Sequence, residues 1–387
     1  MPPINGLILP GGGARNAYQA GVLRAIADML PERSPNPFPV MSGTSAGAIN
    51  AAVLASNAMQ FHEGVARLNG IWENFHCSKV FYTDSWKALK SGLRWTTAFA
   101  TARLGTAGPR ALLDNEPLRH MIESHIRFAR IQQAIDSGAL RALAVTASSY
   151  TSGHSVSYFQ GRPDLQPWQR ARRFGTPQEI SIDHLMASSA IPLIFPAVWL
   201  NNEYHGDGSM RQNAPLSPAI HLGANRLLII GVRNPIPDAV PVGRMEAPYP
   251  TIGQVTGYML DTIFMDALDA DIERMNRLNH ILSECGERYI EYEDATLQPI
   301  DFLVVEPSLD IREIAELHAR DFPRSVRLLL KALGALTHEG RPLLSYLLFE
   351  SAFCQELIEL GYRDGMNMRI QISEFLGLVP AGANGRD

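Results

Sequence analysis

The chain has 387 residues, 46% of them hydrophobic and 19% charged, a composition that fits a globular protein with a sizeable core rather than a disordered one. Its net charge of −5 argues against a general polyanion binder, so no nucleic acid partner is expected. Three cysteines lie far apart, Cys77, Cys285 and Cys354, making neither a disulfide framework nor a zinc pattern and pointing to a reducing compartment. The first ten residues lack a basic region and a long apolar run, and no stretch is apolar enough to span a bilayer. A cytoplasmic protein is expected, with any membrane contact peripheral.

Residues 4–9 form a short apolar run closed by Pro10 and Gly11-Gly12-Gly13, and residues 14–27 follow with helical periodicity. This is a strand, a glycine loop and a helix. Successive N–H groups in such a loop can hold an anion. A dinucleotide pyrophosphate would require glycine at position 16, where the chain has Asn16. The other candidate is the oxyanion of a tetrahedral intermediate. A second unit begins at Pro39, with a strand through Val40 and Met41, then Gly43-Thr44-Ser45-Ala46-Gly47, then residues 48–55 at helical spacing. A serine between two glycines, where a strand turns sharply into a helix, is placed as a nucleophile. Its small neighbours permit a strained backbone, the helix N-terminus favours negative charge, and the N–H of Ala46 can reach an oxyanion. The competing reading is a glycine-rich packing turn. Because the two units follow each other closely, their strands should be neighbours in a parallel sheet, with the glycine loop and Ser45 on the same edge.

Residues 62–76 read as another helix. Residues 79–105 then carry Lys79, Lys87, Lys90, Arg94 and Arg103 against the single acid Asp84, with Trp86, Leu89 and Leu93 on one helical face. That pattern suits a membrane-surface segment or a substrate lid, or else an internal helix with a solvated basic face. Residues 141–148 read as a central strand, 155–159 as its neighbour, and 163–175 as a polar excursion rich in arginine. A short helix beginning near Ile182 should end by Ile191, since Pro192 disfavours helix in the residue before it. Asp207, between Gly206 and Gly208, is the candidate base, against a reading as a simple turn. His205, two residues away, can share a strand face with it and is the rival. Residues 226–232 close the first half as a buried strand.

The prolines between 234 and 250 mark a linker or loop. A long helical pattern runs from Thr251 to about Cys285, residues 301–306 form one more strand, and residues 310–376 form several helices. No chemistry is legible there. His318 and His338 are expected on solvated helix faces, no spacing suggests a metal, and no cofactor is expected. The chain thus divides into a catalytic region, 1–235, and a helix-rich region, 236–387, which packs either separately or as part of the same domain.

Taken together, Gly11-Gly12-Gly13-Ala14-Arg15, Gly43-Thr44-Ser45-Ala46-Gly47 and Asp207-Gly208 resemble, in this order and over about the first 235 residues, the signature of the bacterial patatin-like phospholipases. Residues 187–196 resemble the segment that precedes the aspartate in that family. The resemblance implies a three-layer α/β/α fold with a mostly parallel central sheet and a helix-rich C-terminal region. It implies Ser45 as nucleophile, Asp207 as its partner in a dyad, and the backbone of Gly12, Gly13 and Ala14 as an oxyanion hole, with no histidine. Asn16 departs from the glycine common there, and Ser209 from the usual glycine or alanine. Asparagine tolerates a left-handed backbone, which keeps the loop available.

The activity implied is hydrolysis of acyl esters of membrane lipids, of phospholipase A or lysophospholipase type, through an acyl-enzyme. Phospholipid or another acyl lipid is the partner, with peripheral membrane contact through residues 79–105. Acyl transfer or thioester hydrolysis by the same dyad is the alternative, and a non-catalytic lipid-binding module a further one. An α/β-hydrolase is a weaker reading, since its serine usually follows several strands whereas about one strand-loop-helix unit precedes Ser45 here, and its triad would run serine, acid, histidine. An aspartate of ordinary pKa, near 4, is a weak base at neutral pH, so Asp207 should lie in an apolar pocket that raises it.

Overall fold

The computed structural model describes residues 3–83, 111–235, 249–284, 290–292, 295–337 and 340–378. Strand β1 (Asn5–Leu9) leads through the glycine loop and a 3-10 turn, Gly13–Asn16, into helix α1 (Ala17–Met29). Strand β2 (Val40–Thr44) leads into α2 (Ala46–Ala55) with Ser45 alone between them, and α3 (Phe61–Glu73) follows. After α4 (Glu116–His125) and α5 (Ala129–Asp136) come β3 (Ala142–Ser149), β4 (Ser155–Gly161), β5 (Trp168–Arg170) and β6 (Arg173–Pro177). Next are α6 (Ile182–Ser188), β7 (Val198–Leu200), β8 (Glu203–Asp207), α7 (Ser217–His221) and β9 (Arg226–Ile230). The last third holds α8 (Ile252–Asp261), a π-helical turn (Thr262–Asp266), α9 (Ala267–Glu284), the hairpin β10 (Ile290–Tyr292) and β11 (Ala295–Leu297), and β12 (Asp301–Val305). It ends with α10 (Ile311–Leu317), α11 (Arg324–Ala332), α12 (Arg341–Leu347), α13 (Ser351–Asn367) and α14 (Arg369–Leu376).

The five strands β12-β9-β1-β2-β3 are parallel neighbours in that order, and β4 continues the sheet antiparallel to β3. Their sequences are nearly continuous apolar runs because both faces are covered. Alternation sends Leu7, Leu9, Met41, Val145 and Ile230 into the core shared with α1, α2 and α3. It sends Ile8, Val40, Ala144, Leu227 and Ile229 to the other face, against residues of α7 and α9. Helices therefore cover both sides of a mixed, mostly parallel sheet. The register pairs Leu9 with Gly43 and Gly43 with Val145, so the C-terminal ends of β1, β2 and β3 lie level with one another. That places the glycine loop and Ser45 side by side.

The C-terminal region joins this architecture directly. Strand β12 extends the sheet beside β9, and α13 packs along α1, with Tyr18 donating to Asp364 (3.1 Å) and Arg24 paired with Glu359 (2.8 Å).

Three expectations change. The excursion at 163–175 contains β5 and the start of β6, which pair with each other and, through β6, with β4. Its polarity reflects an edge position, with Trp168 turned in to stack on Phe159. The long helix from Thr251 is interrupted by the π-helical turn at 262–266. His318 is not simply solvated, since its ring lies between Asp321 (2.7 Å) and Glu356 (2.8 Å). Partial burial alone would lower its pKa, and the two carboxylates raise it instead. The basic aromatic stretch at 79–105 lies outside the described residues beyond Thr83, as do His338, Cys285 and most of the proline-rich segment before Pro250. No helix among the described residues is long and apolar enough to cross a membrane.

Candidate active site

Ser45 occupies the one-residue turn between β2 and α2 at φ 56° and ψ −132°, a left-handed conformation that a side chain rarely adopts. Two contacts hold it there. Its N–H donates to Ser188 Oγ (2.8 Å), whose own hydroxyl donates to the Thr146 carbonyl (2.6 Å). The turn also needs Gly47, where a Cβ would stand 2.0 Å from the Leu9 carbonyl oxygen, so α2 starts in direct contact with the end of β1.

Asp207 ends β8, which pairs antiparallel with the end of β3, Asp207 opposite Ala147. Ser45 Oγ donates to Asp207 Oδ2 at 2.5 Å, and both side chains are buried. The other carboxylate oxygen, Oδ1, accepts the Ser209 N–H at 3.0 Å. Burial pushes Asp207 up to about 7, against the opposing pull of its hydrogen bonds from Ser45 and from the backbone and hydroxyl of Ser209. Ser209, one of the two departures from the family pattern, thus touches the carboxylate itself.

His205 is held elsewhere. Its Nε2 lies 2.9 Å from the Tyr158 hydroxyl and its Nδ1 faces the Glu203 carbonyl at 3.2 Å. Burial lowers its pKa, and no hydrogen bond joins it to Ser45 among the described residues.

In the glycine loop, the N–H groups of Gly12, Gly13 and Ala14 have no acceptor among the described residues. Gly13 takes φ 58°, and a Cβ there would lie 2.3 Å from the Tyr346 carbonyl oxygen. Asn16 does not use its tolerance of a left-handed backbone, since it sits at φ −69° and ψ −6°. Its amide instead ties the loop down, donating to the Pro10 carbonyl (2.8 Å) and to Gln19 Oε1 (3.0 Å). Arg15 is buried, paired with Asp261 (3.0 Å), bonded to Ser345 Oγ (2.8 Å) and set over the Tyr346 ring (3.8 Å). Sequence reasoning assigned no role to these C-terminal partners of the loop.

An apolar cavity borders Ser45, Gly13 and Ala46. Ile49, Val53, Leu68, Trp72, Leu118 and Phe349 supply much of its wall. Ser189 also lines it, and its buried hydroxyl has no partner among the described residues. Ser188 and Ser189 were hidden in sequence because their roles depend on where α6 ends.

The fold and this arrangement define an α/β protein that carries a serine on a strand-to-helix elbow against a buried aspartate. A sequence model of the family described as Patatin-like phospholipase matches residues 7–220, more than half the chain. The chain belongs to the patatin-like phospholipases, a family of lipid acyl hydrolases. No curated protein matches it. Among solved structures it is similar to VipD from Legionella pneumophila at 12% identity and a TM-score of 0.36, covering 92% of this chain and 67% of that one. It is also similar to human GIVD cytosolic phospholipase A2 in complex with methyl gamma-linolenyl fluorophosphonate and terbium chloride, at 14% identity and a TM-score of 0.44. That match covers 97% of this chain, which spans 59% of the human protein.

Proposed function

We propose that the chain hydrolyses acyl esters of membrane lipids, as a phospholipase A or lysophospholipase, with Ser45 as nucleophile and Asp207 as base. The observation that carries this reading is the 2.5 Å contact from Ser45 Oγ to Asp207 Oδ2 beside an apolar cavity. In the first step Ser45 Oγ attacks the ester carbonyl and its proton passes to Asp207 Oδ2. The carbonyl oxygen becomes an oxyanion, received by N–H groups from Gly12, Gly13 and Ala14, with Ala46 at the start of α2 as a further donor. Collapse of the intermediate breaks the bond to the alcohol, which leaves with the proton from Asp207. Water then attacks the acyl-enzyme by the same route and releases the fatty acid.

The test is fatty-acid release from phospholipid liposomes, and turnover of a short soluble ester, across pH. Asp207 acts as a base only when ionised, so kcat/KM should rise with pH through a limb near 7 and level off above it. His205→Ala should keep that limb. No release from either substrate, or a limb that disappears with His205, overturns the reading.

The cavity supports a place for the acyl chain between α2, α3 and α4. Leu118→Trp should shorten the longest ester accepted, lowering kcat/KM for long chains by about tenfold or more while short esters react as before. A uniform loss across chain lengths would place the acyl chain elsewhere.

A further inference from the structure

A surface on the last third of the chain sets exposed apolar side chains beside cations that lack an acidic partner among the described residues. Helix α11 buries Val326 and Leu330 and turns Arg324, Leu328 and Lys331 outward, with Leu328 70% exposed. Neither Arg324 nor Lys331 has an ion-pair partner among the described residues, and Asp321, just before the helix, is taken by His318. Helix α8 carries no charged residue from Ile252 to Leu260. It faces Gly253, Gly257 and Leu260 inward and presents Ile252, Val255, Tyr258 and Met259, with Tyr258 72% and Ile252 67% exposed. The two helices meet where the Gly253 N–H donates to the Leu333 carbonyl at 2.7 Å and the Thr251 hydroxyl to that of Gly334 at 3.3 Å.

Both helices also reach segments that lead to the candidate site. Ser325 Oγ of α11 donates to the Thr83 carbonyl (2.5 Å), three residues past Val80 on the cavity wall. At the far end of α8, Asp261 holds Arg15 of the glycine loop, and Phe264 lies against Gly11.

We propose that this surface of α8 and α11 docks on an anionic lipid bilayer, Ile252, Tyr258 and Leu328 entering the interface while Arg324 and Lys331 meet the lipid phosphates. A chain with a net charge of −5 is repelled overall by such a membrane, so its approach is favoured through faces, this one among them, where cations have no ion-pair partner among the described residues. Apolar side chains ringed by arginine and lysine are the chemistry of an interfacial anchor. The inference rests on the proposed lipid hydrolase, whose substrate lies in such a surface.

Cosedimentation with phosphatidylcholine vesicles, with and without phosphatidylglycerol, tests it. The wild type should bind the phosphatidylglycerol vesicles and far less of the others. Arg324→Glu/Lys331→Glu and Ile252→Asp/Tyr258→Asp should each lower binding about tenfold or more, with turnover of a soluble ester at the wild-type level. Equal binding by wild type and both variants, or no binding by the wild type, overturns the proposal. So does a dimer of the protein alone that both variants dissolve, since the face then belongs to a second copy. Variant-sensitive binding by a protein that turns over no ester would sink the hydrolase reading and leave the docking surface standing.

Discussion

Asp207→Asn should abolish turnover and yet make the protein more stable than the wild type at pH 8. Turnover should fall by about 10³-fold or more, as in Ser45→Ala, because in the proposed mechanism each replacement removes one half of the proton transfer. The stability effect follows from burial. The carboxyl titrates near 7 in the folded chain and near 3.9 when unfolded, so between those values the folded chain holds a proton that the unfolded chain has lost. Its contribution is fully present below pH ~4 and is lost as pH rises through about 7. At 1.36 kcal/mol per pH unit, the loss is about 4 kcal/mol. Asparagine carries no such term, and its carbonyl can still accept the Ser209 N–H. Melting temperatures at pH 5 and pH 8 for both proteins check this: the wild type should decline relative to the variant over that interval. Parallel behaviour would mean that Asp207 is not held at a raised pKa.

Gly47→Ala should cost roughly 3 kcal/mol or more, at or beyond the upper end of what inserting one carbon into a packed interior usually costs. The added Cβ would stand 2.0 Å from the Leu9 carbonyl oxygen and 2.5 Å from that of Pro10, and both are backbone atoms that no rotamer change can move. To relieve the clash, α2 must withdraw from the end of β1, which separates Ser45 from the glycine loop. Stability and ester turnover should therefore fall together. Gly70→Ala is the control, since it lies within α3 with nothing within 4 Å of its Cβ, and it should stabilise slightly by favouring helix. An unchanged urea midpoint for Gly47→Ala would show that α2 and β1 can part without cost.

The parallel core was legible because strands covered on both faces carry unbroken apolar runs, as in Leu227-Leu228-Ile229-Ile230. The elbow at Ser45 and the turn at Asp207 stood out because glycines surround them, and glycine marks backbone that other residues resist. What the pattern missed was supplied by position in the sheet or by distance along the chain. Strand β5 forms the sheet edge with β6 beside it, and there arginines replace the apolar alternation that identifies a strand. The π-helical turn leaves the apolar spacing of the helix from Thr251 nearly intact. The partners of Arg15 are more than 240 residues away, and the role of Ser188 follows from the meeting of α6 with the Ser45 elbow and β3, which no local spacing encodes.

The cavity beside Ser45 is closed by groups from both ends of the sequence, Gly13 and Phe349, and the glycine loop is pressed against Tyr346. A ribosome adding about 5–20 residues per second makes the loop tens of seconds before the segment that covers it. The elbow can form early, but the site around it cannot be complete until residues 341–349 have emerged. A nascent chain should therefore be inert toward lipid esters, with its own length serving as the delay.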